Sequence, residues 1–183
     1  MSVATDHTGP WTLADVLALP EDRTTRYELL GESLVMSPGP GVRHQRASFR
    51  LHVILDAAAC APVEVLETIN ITWPSGLVVP DLVVTDAGAR AGDTVSVDAD
   101  AVQLVVELVS PGNRTMDRKV KLLLYAETAI PHFWRLECEP APRLIVSELQ
   151  GGRYVETLTA LAGTTTAIRA PFLVDIDPVE LRQ

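Results

Sequence analysis

The chain has 183 residues, 47% of them hydrophobic, and 15 Lys and Arg against 24 Asp and Glu give a net charge of −9. That length fits one domain over 1–183, and the apolar content supplies a sizeable core and excludes a disordered chain. The acidic balance excludes an avid, non-specific nucleic-acid binder, since that affinity comes from Lys and Arg neutralising phosphates. An enzyme that is basic only around its cleft stays open.

In chain order, Trp11 to Leu19 reads as a short helix with Thr12 as N-cap and Pro20 just past its end. Arg26–Leu30 and Ser33–Ser37 form a hairpin turned at Gly31-Glu32, and the prolines and glycines of Ser37 to Gly41 make a loop. From about Val42 to Cys60 the apolar residues Ala47, Leu51, Ile54, Leu55 and Ala58 recur at helical spacing. The basic cluster Arg43, His44, Arg46 and Arg50 belongs to this segment and has the ordinary reading of a solvated helix face. Val63–Leu66 and Ile69–Trp73 are strands, and Leu77–Thr85 is an apolar run broken only by Pro80-Asp81. Asp86 to Ala101, rich in Gly, Asp and Ala, reads as a surface loop. Val102–Val109 is a strand buried on both faces at the centre of a sheet. A helix is expected over Arg114 to Glu127, then a strand at His132–Cys138 and a hairpin of Arg143–Leu149 with Tyr154–Leu158. Asp177 to Gln183 closes as a capped helical turn. The alternation predicts an α/β fold with a mixed sheet.

No apolar stretch approaches the roughly 18 residues of a membrane helix. Met1 to Pro10 lacks the order of a signal peptide, so Cys60 and Cys138 read as reduced thiols of a cytoplasmic protein.

Two acids stand where acids are costly. Glu107 interrupts a strand that otherwise reads as buried, and Asp81 opens a second such strand. Each carboxylate must be paired, hydrogen-bonded or metal-bound, because an isolated buried charge costs several kcal/mol. For either alone, backbone N–H groups or a nearby Arg suffice as partners. Two in neighbouring strands, followed by the Lys-rich segment holding Lys119 and Lys121, point to a divalent-metal site. On a helix, positions 119 and 121 diverge by about 200°, so one of these lysines faces the metal. Asp117, Lys121 and Tyr125 share a face at four-residue spacing, which favours Lys121; an exposed pair with Asp117 is its ordinary alternative.

Several ordered segments carry a family resemblance: Arg26-Tyr27-Glu28-Leu29-Leu30-Gly31-Glu32, Met36-Ser37-Pro38 and Arg43-His44-Gln45. Val79-Pro80-Asp81-Leu82-Val83-Val84 and Val106-Glu107-Leu108-Val109-Ser110-Pro111 continue it, then Asp117, Lys121, Tyr125, Ile130-Pro131 and Phe133-Trp134. Together they resemble the Uma-type restriction endonucleases of the PD-(D/E)XK nuclease superfamily. The resemblance implies a restriction-endonuclease-like α/β fold, a mixed β-sheet core flanked by helices. The core spans roughly 11–149, and C-terminal strands and a tail occupy 150–183. It further implies catalytic Asp81, Glu107, Lys121 and Glu28, with Mg²⁺ or Mn²⁺ bound by Asp81, Glu107 and the Leu108 carbonyl. The superfamily's usual lysine position, two residues past the second acid, holds Val109 here; Lys121 is the matching residue. His44, Gln45, Lys119 and Tyr125 are candidate contacts to substrate, and Trp134 is core. The implied activity is metal-dependent hydrolysis of DNA phosphodiester bonds by a homodimer. A nuclease-fold binding or regulatory module with little catalysis is the alternative, and a metalloenzyme acting on a small phosphoester is a third.

Overall fold

The computed structural model describes residues 7–20, 22, 24–89, 95–109 and 121–182. Helix α1 (Leu13–Leu17) starts at the expected cap. Thr12 Oγ1 accepts the Asp15 N–H and Asp15 in turn accepts the Thr12 N–H, which satisfies two donors that a helix start leaves open. Strands β1 (Thr25–Leu30) and β2 (Ser33–Pro38) pair as the predicted hairpin, and Gly31 takes the left-handed φ of 63° at its turn. The loop expected from Ser37 begins only at Gly39. Pro38 is tolerated because β2 is an edge strand with no partner for the missing N–H. Helix α2 (Val42–Ala58) follows and buries Ala47, Ser48, Leu51 and Leu55.

The two β-rich runs become β3 (Val63–Glu67) and β4 (Asn70–Trp73), and the Leu77–Thr85 run divides into β5 (Gly76–Val78) and β6 (Leu82–Asp86). The stretch from Asp86 to Ala101 is not all loop. Its end forms β7 (Ser96–Asp98) and a 3-10 turn over Ala99–Ala101, and Val97 and Ala99 are buried. Three residues are too few for a period of two to stand out among Gly, Asp and Ala, so tertiary pairing with β4 decides the outcome. After β8 (Val102–Val109) come α3 (Lys121–Glu127), β9 (His132–Glu137), β10 (Arg143–Gln150) and β11 (Arg153–Leu161). The part of the expected helix before Lys121 lies outside the described residues. A small pair, β12 (Thr166–Ile168) and β13 (Val174–Ile176), precedes the closing 3-10 turn, which Asp177 caps as predicted.

These strands build a five-stranded sheet, β2-β1-β5-β4-β7, and a six-stranded sheet, β11-β10-β9-β8-β6-β3. The larger one is mixed, because β8 and β9 run parallel within an otherwise antiparallel ladder. The chain crosses from the small sheet to the large one between β5 and β6, at Val79-Pro80-Asp81. Strand β8 is central, and its alternate residues enter different cores. Leu104, Val106 and Leu108 pack with Leu51 and Leu55 of α2, whereas Val105 packs with Ile71 and Val78 of the small sheet and with Tyr125 and Phe133. By the same alternation Glu107 and Asp81 share the face of Val105 and Val83, toward the small sheet and α3. No helix among the described residues is long and apolar enough to cross a membrane.

Leu51 is wholly buried between α2 and the large sheet, whereas Phe49 on the same helix is 61% exposed. Leu51→Ala is expected to cost about 2–5 kcal/mol in urea unfolding, and Phe49→Ala to stay within about 0.5 kcal/mol of the parent. Equal losses for the two would contradict this placement of the helix.

Candidate functional site

Glu28 on β1, Asp81 at the crossover and Glu107 on β8 are each at most 3% exposed, and Lys121 is buried among them. Asp81 lies one step beyond the registered pair Leu82↔Val106, which sets it opposite Glu107. Directly opposed residues of an antiparallel pair share a face, with Cβ atoms about 4.5–5.5 Å apart. The β6–β8 ladder ends at Leu82↔Val106, and the Asp81 carboxylate takes the next donor of β8: its Oδ2 accepts the Leu108 N–H at 2.7 Å. Its Oδ1 accepts Arg26 Nη1–H at 2.8 Å and lies 2.9 Å from His44 Nε2. Burial opposes ionisation of Asp81, but the His44 contact, the Arg26 guanidinium and the Leu108 N–H outweigh it and hold the carboxyl below its usual range. The Asp81 carbonyl accepts the N–H of Thr68, a β-branched residue at φ 50°, which pins the β3–β4 turn against the crossover.

The second half of the site centres on Lys121. Its Nζ donates to Glu107 Oε1 at 2.9 Å and lies 3.0 Å from Glu28 Oε1. Tyr125, one turn along α3, donates its hydroxyl to the same Glu107 oxygen at 2.6 Å, and the Val79 N–H donates to Glu28 Oε1 at 3.0 Å. Burial by itself would lower the Lys121 pKa. The charges of Glu107 and Glu28 reverse that and hold the ammonium protonated far above the ordinary lysine range. Burial first, and then the Glu107 charge, push the Tyr125 phenol well up, so it stays neutral and donates.

Glu28, Asp81, Glu107, Lys121 and Tyr125 are thus brought together, and the one-face spacing of Lys121 and Tyr125 is realised. Lys121 is buried rather than in an exposed pair; Asp117 and Lys119 lie outside the described residues. His44 reaches Asp81, while Gln45 is exposed and donates its side-chain N–H to the Pro40 carbonyl at 3.1 Å. Trp134 is wholly buried core. Arg26 and Thr68 join the site without being singled out as site residues by the sequence. The signal for Arg26 was its position two before Glu28, since residues i and i+2 of a strand share a face. Arg26, His44, Gln45, Phe49 and Thr68 line an open cleft of about 930 Å³ that leads to the Asp81 side.

The donor set suits a hard divalent cation: carboxylates on adjacent strands, plus the Leu108 carbonyl, which in a strand points to the same side as the Leu108 N–H that meets Asp81. Among the described residues no three His, Cys, Asp or Glu side chains form a metal cage by themselves. An ion here would therefore rely on water and substrate oxygens for its other ligands.

Because Lys121 neutralises two buried glutamates, Lys121→Met is expected to destabilise by about 3–5 kcal/mol, and adding Glu28→Gln to recover part of that loss. A double mutant less stable than Lys121→Met alone would contradict the bridge.

Among known proteins, the Uma2 family model, described as "Putative restriction endonuclease", matches residues 13–177. The fold is similar to that of "a putative nuclease belonging to DUF820" from Anabaena variabilis ATCC 29413. The TM-score is 0.74 at 16% identity, over 94% of this chain and 97% of that one. At that identity the likeness speaks for a shared nuclease-like fold. Among curated proteins nothing matches. The family match spans most of the sequence, and the chain belongs to the Uma2 family of restriction-endonuclease-like proteins.

Proposed function

We propose that this Uma2-family nuclease is a metal-dependent endonuclease that hydrolyses phosphodiester bonds of DNA with Mg²⁺ or Mn²⁺ held by Asp81, Glu107 and the Leu108 carbonyl. The observation that carries the reading is the cluster of three buried carboxylates and one buried lysine at the junction of two sheets, beside an open cleft. A divalent cation bound there supplies a water of lowered pKa and offsets charge on the scissile phosphate.

The chain's own residues do the rest. Lys121 is placed by Glu107 and Glu28 as a positive charge beside the scissile phosphate, where it would stabilise developing negative charge. Glu28 and Glu107 fix its position from two sides. Arg26 and His44 hold the Asp81 carboxylate by one oxygen and, on the cleft wall, attract the phosphate. Tyr125 fixes Glu107 from the buried side. Nucleases that cut both strands of a duplex are often dimers, and a homodimer fits this reading.

A second reading, a nuclease-fold binding module without catalysis, draws on Val109 at the superfamily's usual lysine position and on a site already close to charge balance through Arg26 and Lys121.

Plasmid and single-stranded DNA incubated with the protein and Mg²⁺ or Mn²⁺ separate the two. Expected are cleavage, its loss in EDTA, and at least about a hundredfold slower cleavage by Asp81→Ala and Lys121→Met. Undiminished cleavage by Asp81→Ala would falsify this site. Mn²⁺ binding in calorimetry with no cleavage of DNA or RNA would select the binding module.

A further inference from the structure

Helix α2 carries a feature that the catalytic cluster does not use. Among its 17 residues stand Arg43, His44, Arg46, Arg50 and His52 and a single acid, Asp56, in a chain of net charge −9. At 100° per residue, Phe49, Val42, Val53, Arg46, Arg50 and Arg43 fall in that order within a sector of about 120°, opposite the buried face. Val42, Phe49 and Val53 are exposed hydrophobics, and Arg43 and Arg46 are exposed and make no ion pair with any described residue. Arg50 is half-buried and tied to the Glu180 carbonyl at 3.0 Å, so it anchors the helix end of the chain instead.

The charges are placed against local helix physics. The N-cap, Gly41, offers no side-chain cap, the first turn holds no acid, and Arg43 and His44 stand where the helix dipole is already positive. Such a conflict between local stability and sequence is expected where a surface meets a ligand. What it creates is a concentrated positive field at the start of α2. The same helix lines the cleft with His44, Gln45 and Phe49, and Phe49 is the residue at which the outer face meets the cleft lip; Arg43 and Arg46 lie outside the lining.

We infer that the outer face of α2 is the track on which the nucleic-acid backbone lies as it enters the cleft. Arg43 and Arg46 contact successive phosphates and Phe49 stacks against a base at the lip. This rests on the nuclease reading above and names the surface that receives the substrate. Three features favour a nucleic acid over other anions: charges spread along a face rather than in one pocket, an exposed aromatic beside them, and the place of that aromatic on the cleft lip. Arg43 and Arg46 lie about 4.5 Å apart along the helix axis, close to the 3.4 Å spacing of charges along one strand of a duplex. A base can stack on an exposed ring whatever its sequence.

The test uses full-length protein without added metal, so that no cleavage intervenes, and labelled single- and double-stranded oligonucleotides in fluorescence anisotropy over a salt series. Arg43→Gln/Arg46→Gln is expected to weaken binding at least tenfold and to lower the slope of log K against log salt by about 1.8 for duplex. Phe49→Ala is expected to weaken single-stranded binding about tenfold and duplex binding less. With metal present, the double variant should raise KM and leave kcat within about twofold. Unchanged urea midpoints show that the variants fold. An unaltered salt slope in the double variant, beside firm binding by the parent, would overturn this surface and leave the catalytic reading intact. Failure of the parent to bind or cut any nucleic acid would instead overturn the catalytic reading. Arginine-dependent binding to phosphatidylglycerol vesicles, with none to oligonucleotides, would reassign the face to a membrane surface.

Discussion

Lys121 stands between Glu28, on the five-stranded sheet, and Glu107, on the six-stranded one, at 3.0 and 2.9 Å. One ammonium therefore ties two sheets and α3 to a common point. Each group alone would be expensive there, since desolvating a single ion costs several kcal/mol even after relaxation. Together they satisfy one another, with the Tyr125 hydroxyl and the Val79 N–H taking further lone pairs. A well-packed apolar trio of the same volume would generally be at least as stable. Stability alone therefore gives no reason to keep this cluster, which is consistent with the catalytic role proposed for it.

The other half of the site follows from a break in the sheet. Between β5 and β6 the chain leaves one sheet for the other, and the β6–β8 ladder ends at Leu82↔Val106. A strand end inside a protein leaves backbone groups that need partners. The Asp81 carboxylate meets that need at Leu108 with one oxygen and takes Arg26 and His44 with the other. The same topological step that exposes an unpaired N–H thus turns a carboxylate toward Glu107 and orients it from both sides. Thr68, held in a left-handed conformation by the Asp81 carbonyl, extends that fixation to the cleft wall.

How much of this was legible in the sequence depended on the range of the interactions. Long apolar runs announced β8, and helical spacing announced α2, because burial of a whole face leaves a periodic trace. Asp81 and Glu107 were legible for the opposite reason: a charge within such a run must be compensated. The partners that compensate were not. Arg26 lies 55 positions before Asp81 in the chain, and nothing local to either residue links them. The division of the Leu77–Thr85 run between two sheets was equally hidden, since Pro80-Asp81 reads as well as a bulge in one strand. Strand β7 escaped because three residues carry almost no period and its order comes from pairing with β4. Glu28 and Lys121 gained their assignments from family spacing; only the folded chain puts them on one another.

In the nuclease reading proposed above, a chain of net charge −9 takes a polyanion as substrate, an apparent conflict that distance resolves. At physiological salt the Debye length is about 8 Å, so exposed acids farther than that from an approaching phosphate contribute little to its energy. What the phosphate meets at close range is set by the nearest groups. At the cleft these are Arg26 and His44 together with Asp22 and Glu67, with the start of α2 beside them. Farther in, the described groups around Glu28, Asp81 and Glu107 include the cations Arg26 and Lys121, and in the proposed reading the carboxylates would hold a divalent ion. The acidity of the whole then has a use. In that reading it disfavours indiscriminate binding to nucleic acid over the rest of the surface, while the described face of α2 offers positive charge beside the cleft.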